Sequence, residues 1–325
     1  MKRFVIIFVL FSSGFLLGFF LNQHKDAPQT SLEHREGGYD LINPLLECTS
    51  DRAQELRPFE DVIAQLVRDV QREHGVTEAA VYFRDLDTGK WLGVNERELF
   101  TPASLVKVPI MMAYLKEAEA DPDLLQKKLV YNPTSFKDSV QNVEPRETLI
   151  PGNSYTIQDL IERMITFSDN RAMDLLLEFG TGEKVLERTF IDLDIQVDHL
   201  PDPDRETDIL SVKEYAGFFR ILYNASYLNR AFSNIALSIL SNVDFVGGLS
   251  AGVPFGVVVA HKFGERETST GMQLHDCGII YHPLRPYLLC IMTRGKNFNH
   301  LEEAISYISH GVYEEVDRQI KARIY

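Results

Sequence analysis

The sequence predicts an α+β fold: an antiparallel five-stranded sheet flanked by terminal helices, with an all-helical subdomain inserted between two groups of strands. Three observations carry this. Apolar residues recur first at helical spacing and then in two short strand patterns. A long, mostly helical stretch follows. Beyond Gly247-Gly248 the period returns to strands and closes on one more helix. No internal repeat is visible.

Each element has its own signal. After Pro58, Val62, Ile63, Leu66, Val67 and Val70 fall at three- and four-residue steps and start the first helix. Strands are expected over 79–85 and 90–94, with the Asp87-Thr88-Gly89 turn joining them as a hairpin. From Pro102 to about Val243 the chain reads as mostly helical. Two helices there open on capping boxes, Thr156-x-x-Asp159 and Ser211-x-x-Glu214. Strands follow over 255–263, 271–281 and 287–294. A last helix over 300–320 carries Leu301, Ala304, Ile305, Ile308, Val312 and Val316 on one face. The predicted domain spans 58–325, its sheet part formed by 58–102 plus 250–325 and its helical part by 103–249.

The N-terminal segment predicts a chain whose body lies outside the cytoplasm. Lys2 and Arg3 precede an apolar run over 4–21 that ends without an A-x-A cleavage pattern and without a cysteine for lipidation. As a helix that run spans about 27 Å, close to a hydrocarbon core of roughly 30 Å. Residues 1–25 therefore read as an uncleaved membrane anchor in preference to a cleaved signal, which would leave the protein secreted. The basic residues before the run place the rest of the chain outside the cytoplasm. Residues 26–57 form a polar tether. Cys48 lies in that tether and receives no role.

Composition removes other classes. Lys and Arg total 33 against 47 Asp and Glu, a formal charge of −14, and such a surface repels a phosphate backbone, so no nucleic-acid partner is expected. Cys48, Cys277 and Cys290 exclude a disulfide scaffold and show no C-x-x-C metal spacing. Cys277 and Cys290 sit on consecutive predicted strands, and a one-residue uncertainty of register leaves open whether they pair. His275-Asp276-Cys277 on a strand reads as packing rather than as a nucleophilic cysteine.

Three constellations carry chemistry. In Thr101-Pro102-Ala103-Ser104-Leu105-Val106-Lys107, the serine stands at a helix start with the lysine three residues on, so both share one helical face. The serine sits at the positive end of the helix dipole with its backbone N–H free to stabilise an oxyanion, and the lysine is in reach as a proton acceptor once burial lowers its pKa. Ser168-Asp169-Asn170 lies between two helical runs, where such residues cap a helix or project into a cleft. His261-Lys262-Phe263-Gly264 follows the apolar Val257-Val258-Val259-Ala260, so Lys262 rides a buried strand, which is costly unless it faces a cleft or an anion. Gly264 lets the backbone approach a ligand closely.

Together, in this order, Ser104-x-x-Lys107, Ser168-Asp169-Asn170 and Lys262-x-Gly264 resemble the class A β-lactamase family and its relatives among penicillin-binding D-Ala-D-Ala peptidases. The resemblance runs from about Pro58 to Ile320. It implies the β-lactamase/transpeptidase-like fold and an extracytoplasmic serine hydrolase working through an acyl-enzyme on a D-Ala-D-Ala type peptide or a β-lactam, with no metal or organic cofactor. It implies that Ser104 is the nucleophile, Lys107 its base or proton shuttle, and Ser168 the relay to the leaving nitrogen. Asn170 would hold the substrate amide and Lys262 would supply positive potential for a substrate carboxylate. The oxyanion hole would come from the backbone N–H groups of Ser104 and Glu265.

Two departures stand against that pattern. Phe263 occupies the place where the family carries a Thr or Ser hydroxyl that binds the substrate carboxylate, and Arg266 is the candidate to take over. The family's Glu-x-x-Leu-Asn deacylation element is missing between Phe190 and Asp208, where Asp198, His199 and Glu206 are the nearby candidate bases. Two further readings stay open: a true class A-like β-lactamase with a relocated base, and a non-catalytic penicillin- or cell-wall-binding module.

Overall fold

The computed structural model describes residues 34–35, 37–47, 56–132, 141–179, 182–193, 207–268 and 271–324. Five long strands form one antiparallel sheet: β1 (Val76–Asp85), β2 (Trp91–Val94), β3 (Val259–Thr268), β4 (Gly271–Ile280) and β5 (Tyr287–Gly295), in the order β2-β1-β5-β4-β3. β3 is therefore an edge strand, and its outward edge faces the helical part of the chain.

Both faces of the sheet are covered, so β4 and β5 are buried along nearly their whole length. On one face pack α1 (Arg57–Glu73) and the C-terminal α9 (Phe298–Ile324). α1 buries Phe59, Ile63, Val67 and Val70, one stripe at helical spacing, against Val81, Phe83, Leu289 and Ile291 of the sheet. On the other face Tyr82, Cys277, Ile279, Leu288, Cys290 and Met292 join the core of the helical part. That part holds α2 (Lys107–Ala118), α3 (Ile157–Thr166), α4 (Asn170–Glu178), α5 (Gly182–Asp192), α6 (Val212–Asn224) and α7 (Arg230–Leu240), with short α8 (Gly248–Ala251) leading to β3. Both capping boxes are present: Thr156 and Asp159 close on each other's backbone N–H groups at α3, and Ser211 and Glu214 do so at α6.

The third predicted strand is displaced. It runs from Val259 to Thr268, whereas the apolar run suggested 255–263. Phe255 is wholly exposed, Gly256 takes φ +90°, and the Val257 N–H donates to the Pro254 carbonyl, so the start of that run is a turn. The polar Glu265–Thr268 end continues the strand because it pairs with β4, Thr268 opposite Gly271. An edge strand tolerates such charges, and they protect it from pairing with another chain.

Cys277 and Cys290 are register partners on β4 and β5 and form a disulfide, both residues fully buried. The register left open by the sequence thus places them on one face. No helix among the described residues is long and apolar enough to cross a membrane. The predicted anchor over 4–21 and most of the tether lie outside the described residues.

Candidate active site

The nucleophile candidate sits on a strained corner. Ala103 takes φ +50°, an uncommon left-handed conformation for a residue with a Cβ, and opens a 3-10 turn (Ala103–Val106) that runs directly into α2. Ser104 lies in this turn, half-buried, and its hydroxyl makes no hydrogen bond to a described residue. Two contacts fix the turn from behind: the Leu105 N–H donates to the Pro102 carbonyl at 3.0 Å, and the buried Tyr215 hydroxyl of α6 donates to the Leu105 carbonyl at 3.0 Å. Thr101, three residues upstream, is held still more firmly. Its N–H donates to Gln273 Oε1 (3.0 Å), its hydroxyl to Asp208 (2.9 Å), and its carbonyl pairs with His275 Nε2 (3.0 Å). Burial pushes the His275 pKa down to about 4, so this imidazole is neutral at pH 7 and fits a fixed structural hydrogen bond.

Ser168 marks a second strained position, at φ +55° between α3 and α4. Asp169 is the N-cap of α4, its carboxylate accepting the N–H groups of Arg171 and Ala172. Its cap turns the flanking Ser168 and Asn170 toward Lys107. Asp169 thus takes the cap, while its two neighbours meet the Lys107 amine.

Two lysines meet at Ser168. Lys107 Nζ lies 3.1 Å from Ser168 Oγ, and donates to the Ser168 carbonyl at 2.7 Å and to Asn170 Oδ1 at 2.6 Å. Lys262 Nζ reaches the same hydroxyl from β3 at 3.0 Å. Both lysines are fully buried. Burial lowers the Lys107 pKa to about 7 against the opposing pull of Asp169, Asp174 and Glu265. Burial likewise pushes Lys262 well below the ordinary lysine range, and the nearby Lys107 charge adds to the effect. An amine that loses its proton near neutrality is equipped to take one from a serine.

β3 supplies the opposite wall. A Cβ on Gly264 would stand 3.1 Å from the Leu105 backbone nitrogen and 3.2 Å from the Pro102 carbonyl oxygen, so a side chain there would crowd the Ser104 turn and push it back by a few tenths of an ångström. Phe263 departs from the position assigned to it among substrate-binding residues: it is 2% exposed and packs on Phe245 with ring centroids 4.4 Å apart, in the core shared with α9. Glu265 is half-buried, and its carboxylate accepts the Asn142 N–H (3.0 Å), the Asn142 side-chain amide (2.6 Å) and the Val143 N–H (2.8 Å). Arg266, half-buried, stands opposite Gln273 in the register. The structure thus brings Lys107, Ser168, Asn170 and Lys262 to one hydrogen-bonded cluster beside the turn that carries Ser104. Asp198, His199 and Glu206 lie outside the described residues. Sequence reasoning missed the Thr101–Asp208–Gln273 anchor and the Asn142 contact, since nothing local marks residues joined across such separations.

The chain is similar to known proteins in sequence and in fold. The chain is 28% identical to a β-lactamase of Streptomyces cellulosae over 212 residues, 62% of this chain and 67% of that protein. It is 26% identical to a β-lactamase of Streptomyces lavendulae over 245 residues, 71% of this chain and 78% of that one. Among solved structures, that of PBP-A matches with a TM-score of 0.67 at 25% identity, covering 79% of this chain and 96% of that one. The class A β-lactamase from Mycobacterium abscessus shares the fold at a TM-score of 0.68 and 21% identity, covering 79% and 99%. The family model described as the beta-lactamase enzyme family matches residues 58–316, most of the chain. The chain belongs to the beta-lactamase enzyme family and is a serine hydrolase of that type.

Proposed function

We propose that the protein is an extracytoplasmic, penicillin-reactive serine hydrolase that is acylated on Ser104 by substrates of the D-Ala-D-Ala peptide or β-lactam type and clears the acyl group slowly. The observation that carries this reading is the convergence of two buried lysines on one serine hydroxyl beside the Ser104 turn. Ser104 Oγ attacks the carbonyl carbon as neutral Lys107 takes its proton. The new C–O bond gives a tetrahedral oxyanion facing the backbone N–H groups of Ser104 and Glu265. Ser168, hydrogen-bonded to both lysines, passes a proton to the leaving nitrogen as the C–N bond breaks, and Asn170 orients the donor's amide. Water then attacks the ester and returns Ser104. The Glu-x-x-Leu-Asn element that serves that water in the family is missing from the sequence between Phe190 and Asp208, and a general base contributes roughly 10²–10⁴-fold, so this reading makes the acyl-enzyme long-lived.

Export rests on separate observations. Lys2 and Arg3 before the apolar run over 4–21 favour an anchored chain with its domain outside the cytoplasm, and the Cys277–Cys290 disulfide fits an oxidising compartment.

Intact-protein mass spectrometry after a pulse of labelled penicillin tests the function. A single adduct that persists for many minutes supports the proposal. No adduct indicates a binding module, and an adduct that vanishes while a chromogenic cephalosporin turns over rapidly indicates a β-lactamase with a base placed elsewhere.

A further inference from the structure

We propose that the Cys277–Cys290 disulfide is a redox control on this site: while the bridge is closed Lys262 is left to Ser168, and when it is open the Cys277 thiol captures the Lys262 amine and weakens the proton relay. The proposal rests on Ser104 acylation and adds a regulation of that same site.

Residues directly opposite on neighbouring antiparallel strands point to one face. Lys262 of β3 stands opposite Cys277 of β4, Cys277 opposite Cys290 of β5, and Cys290 opposite Tyr82 of β1. The four side chains therefore form one row across the sheet. The row lies under the helical part, where Tyr82 and both cysteines share a core with Tyr215, Ala216 and Phe219 of α6. All four are buried, Lys262 and the two cysteines completely. The bridge thus joins β4 to β5 one strand away from Lys262.

A closed bridge offers Lys262 no proton and no charge. The amine turns instead to the Ser168 hydroxyl at 3.0 Å and the Phe263 carbonyl at 3.0 Å. Opening the bridge changes the chemistry of the row. The freed Cys277 sulfur carries a proton, and a neighbouring amine on a flexible four-carbon stem draws it off. The resulting thiolate–ammonium pair is held by the dry interior, where either charge alone is costly. Cys290 is one strand further from Lys262, with Tyr82 on its other side, so its thiol is not the amine's neighbour. With Lys262 turned toward Cys277, Ser168 keeps only Lys107, and the relay to the leaving nitrogen loses one of its two amines. Closing the bridge takes two electrons and two protons from the thiols and passes them to a disulfide oxidant such as oxidised glutathione, which becomes two thiols.

Single substitutions separate this role from plain bracing, because each removes the same cross-link and only one leaves a thiol beside Lys262. Both variants are kept in a phosphine reductant, which holds the remaining cysteines, Cys48 among them, as thiols. Acylation of Ser104 is followed by intact mass with two donors: penicillin, whose leaving nitrogen needs a proton, and an acyclic thioester, whose thiolate leaves without one. Cys290→Ala should lower the penicillin rate relative to the thioester rate by about tenfold, because Lys107 still serves Ser168 and losing an acid–base group outright costs roughly 10²–10⁴-fold. Cys277→Ala should keep the ratio of the oxidised wild-type protein. Wild-type protein refolded with its thiols reduced should behave as Cys290→Ala does, and oxidised glutathione should restore it, a comparison that stands even where a variant fails to fold. Equal ratios in the two variants overturn the proposal, whether both fall or neither does, and so does a loss in which both donors slow together. If the oxidised wild-type protein takes up no penicillin, the hydrolase reading falls; if it does and the two variants match, the redox control falls alone.

Discussion

Ser104→Ala is expected to take up no penicillin and to lose hydrolysis of any reactive ester or amide by at least about 10⁴-fold, while folding normally. The loss should be chemical and not structural. The Ser104 hydroxyl makes no hydrogen bond to a described residue, and its Cβ stays in alanine, so the turn keeps its contacts to Pro102 and Tyr215. A half-buried substitution of this kind changes stability by roughly 0.5 kcal/mol or less. Removing the nucleophile of an acyl-enzyme mechanism leaves only what positioning and the oxyanion hole supply, and a residual rate thousands of times lower is the pattern such removals follow. Thermal unfolding at the wild-type temperature together with complete loss of the adduct is the expected result. The sharpest contrary outcome is labelling that survives in the variant. Ser250 is the residue to map in that event, because its hydroxyl lies 3.2 Å from His261 Nε2, whose Nδ1 is 2.8 Å from the buried Asp276. Label on Ser250 would move the chemistry away from Ser104 altogether.

Much of this was legible in the residues because the information is local. The capping boxes at Thr156 and Ser211 announce their helices within four residues, and the α1 stripe announces its buried face within four turns. The three motif segments were legible in a different way, through residue types that a buried position tolerates only for a reason: a lysine at the end of an apolar run needs a partner, and Lys262 finds one in Ser168. What escaped is what depends on pairing across the fold. The start of β3 was misplaced because an apolar run does not say where the chain turns, and Phe255 shows that such a run can begin in solvent. Phe263 drew notice as a misfit in a binding motif, yet its side chain serves the core under α9, a destination fixed by Phe245 eighteen positions earlier in the chain. The Glu265–Asn142 contact and the Thr101–Asp208–Gln273 anchor join residues that no periodicity links.

Acylation should rise with pH through a midpoint near 7 and level off above about 8, and Lys107→Arg should lower it by roughly 10²–10⁴-fold at every pH. The sign follows from the role. Only the neutral amine can accept the Ser104 proton, and burial brings the Lys107 pKa down to about 7, so the active form dominates above that value and falls about tenfold per pH unit well below it. Arginine keeps the charge and several of the donors to Ser168 and Asn170, but it stays protonated across the accessible range and cannot act as the base. Folding depends on pH in the same direction. The folded Lys107 releases its proton near 7 and the unfolded one near 10.5, so the unfolded chain binds more protons between these values and stability increases with pH across that window. A rate that merely tracked the folded fraction would therefore also climb with pH, and the arginine variant separates the two: loss of activity with normal unfolding assigns the titration to proton transfer. The two lysines share one hydroxyl and repel each other, so the midpoint belongs to the pair, and removing one charge raises the other amine's pKa. A Lys107→Ala protein with a residual rate should accordingly titrate differently from the wild type, through Lys262. Acylation that is flat between pH 5 and 9 on the wild-type protein would remove Lys107 from the role of base, and full activity in Lys107→Arg would do so without any pH profile at all.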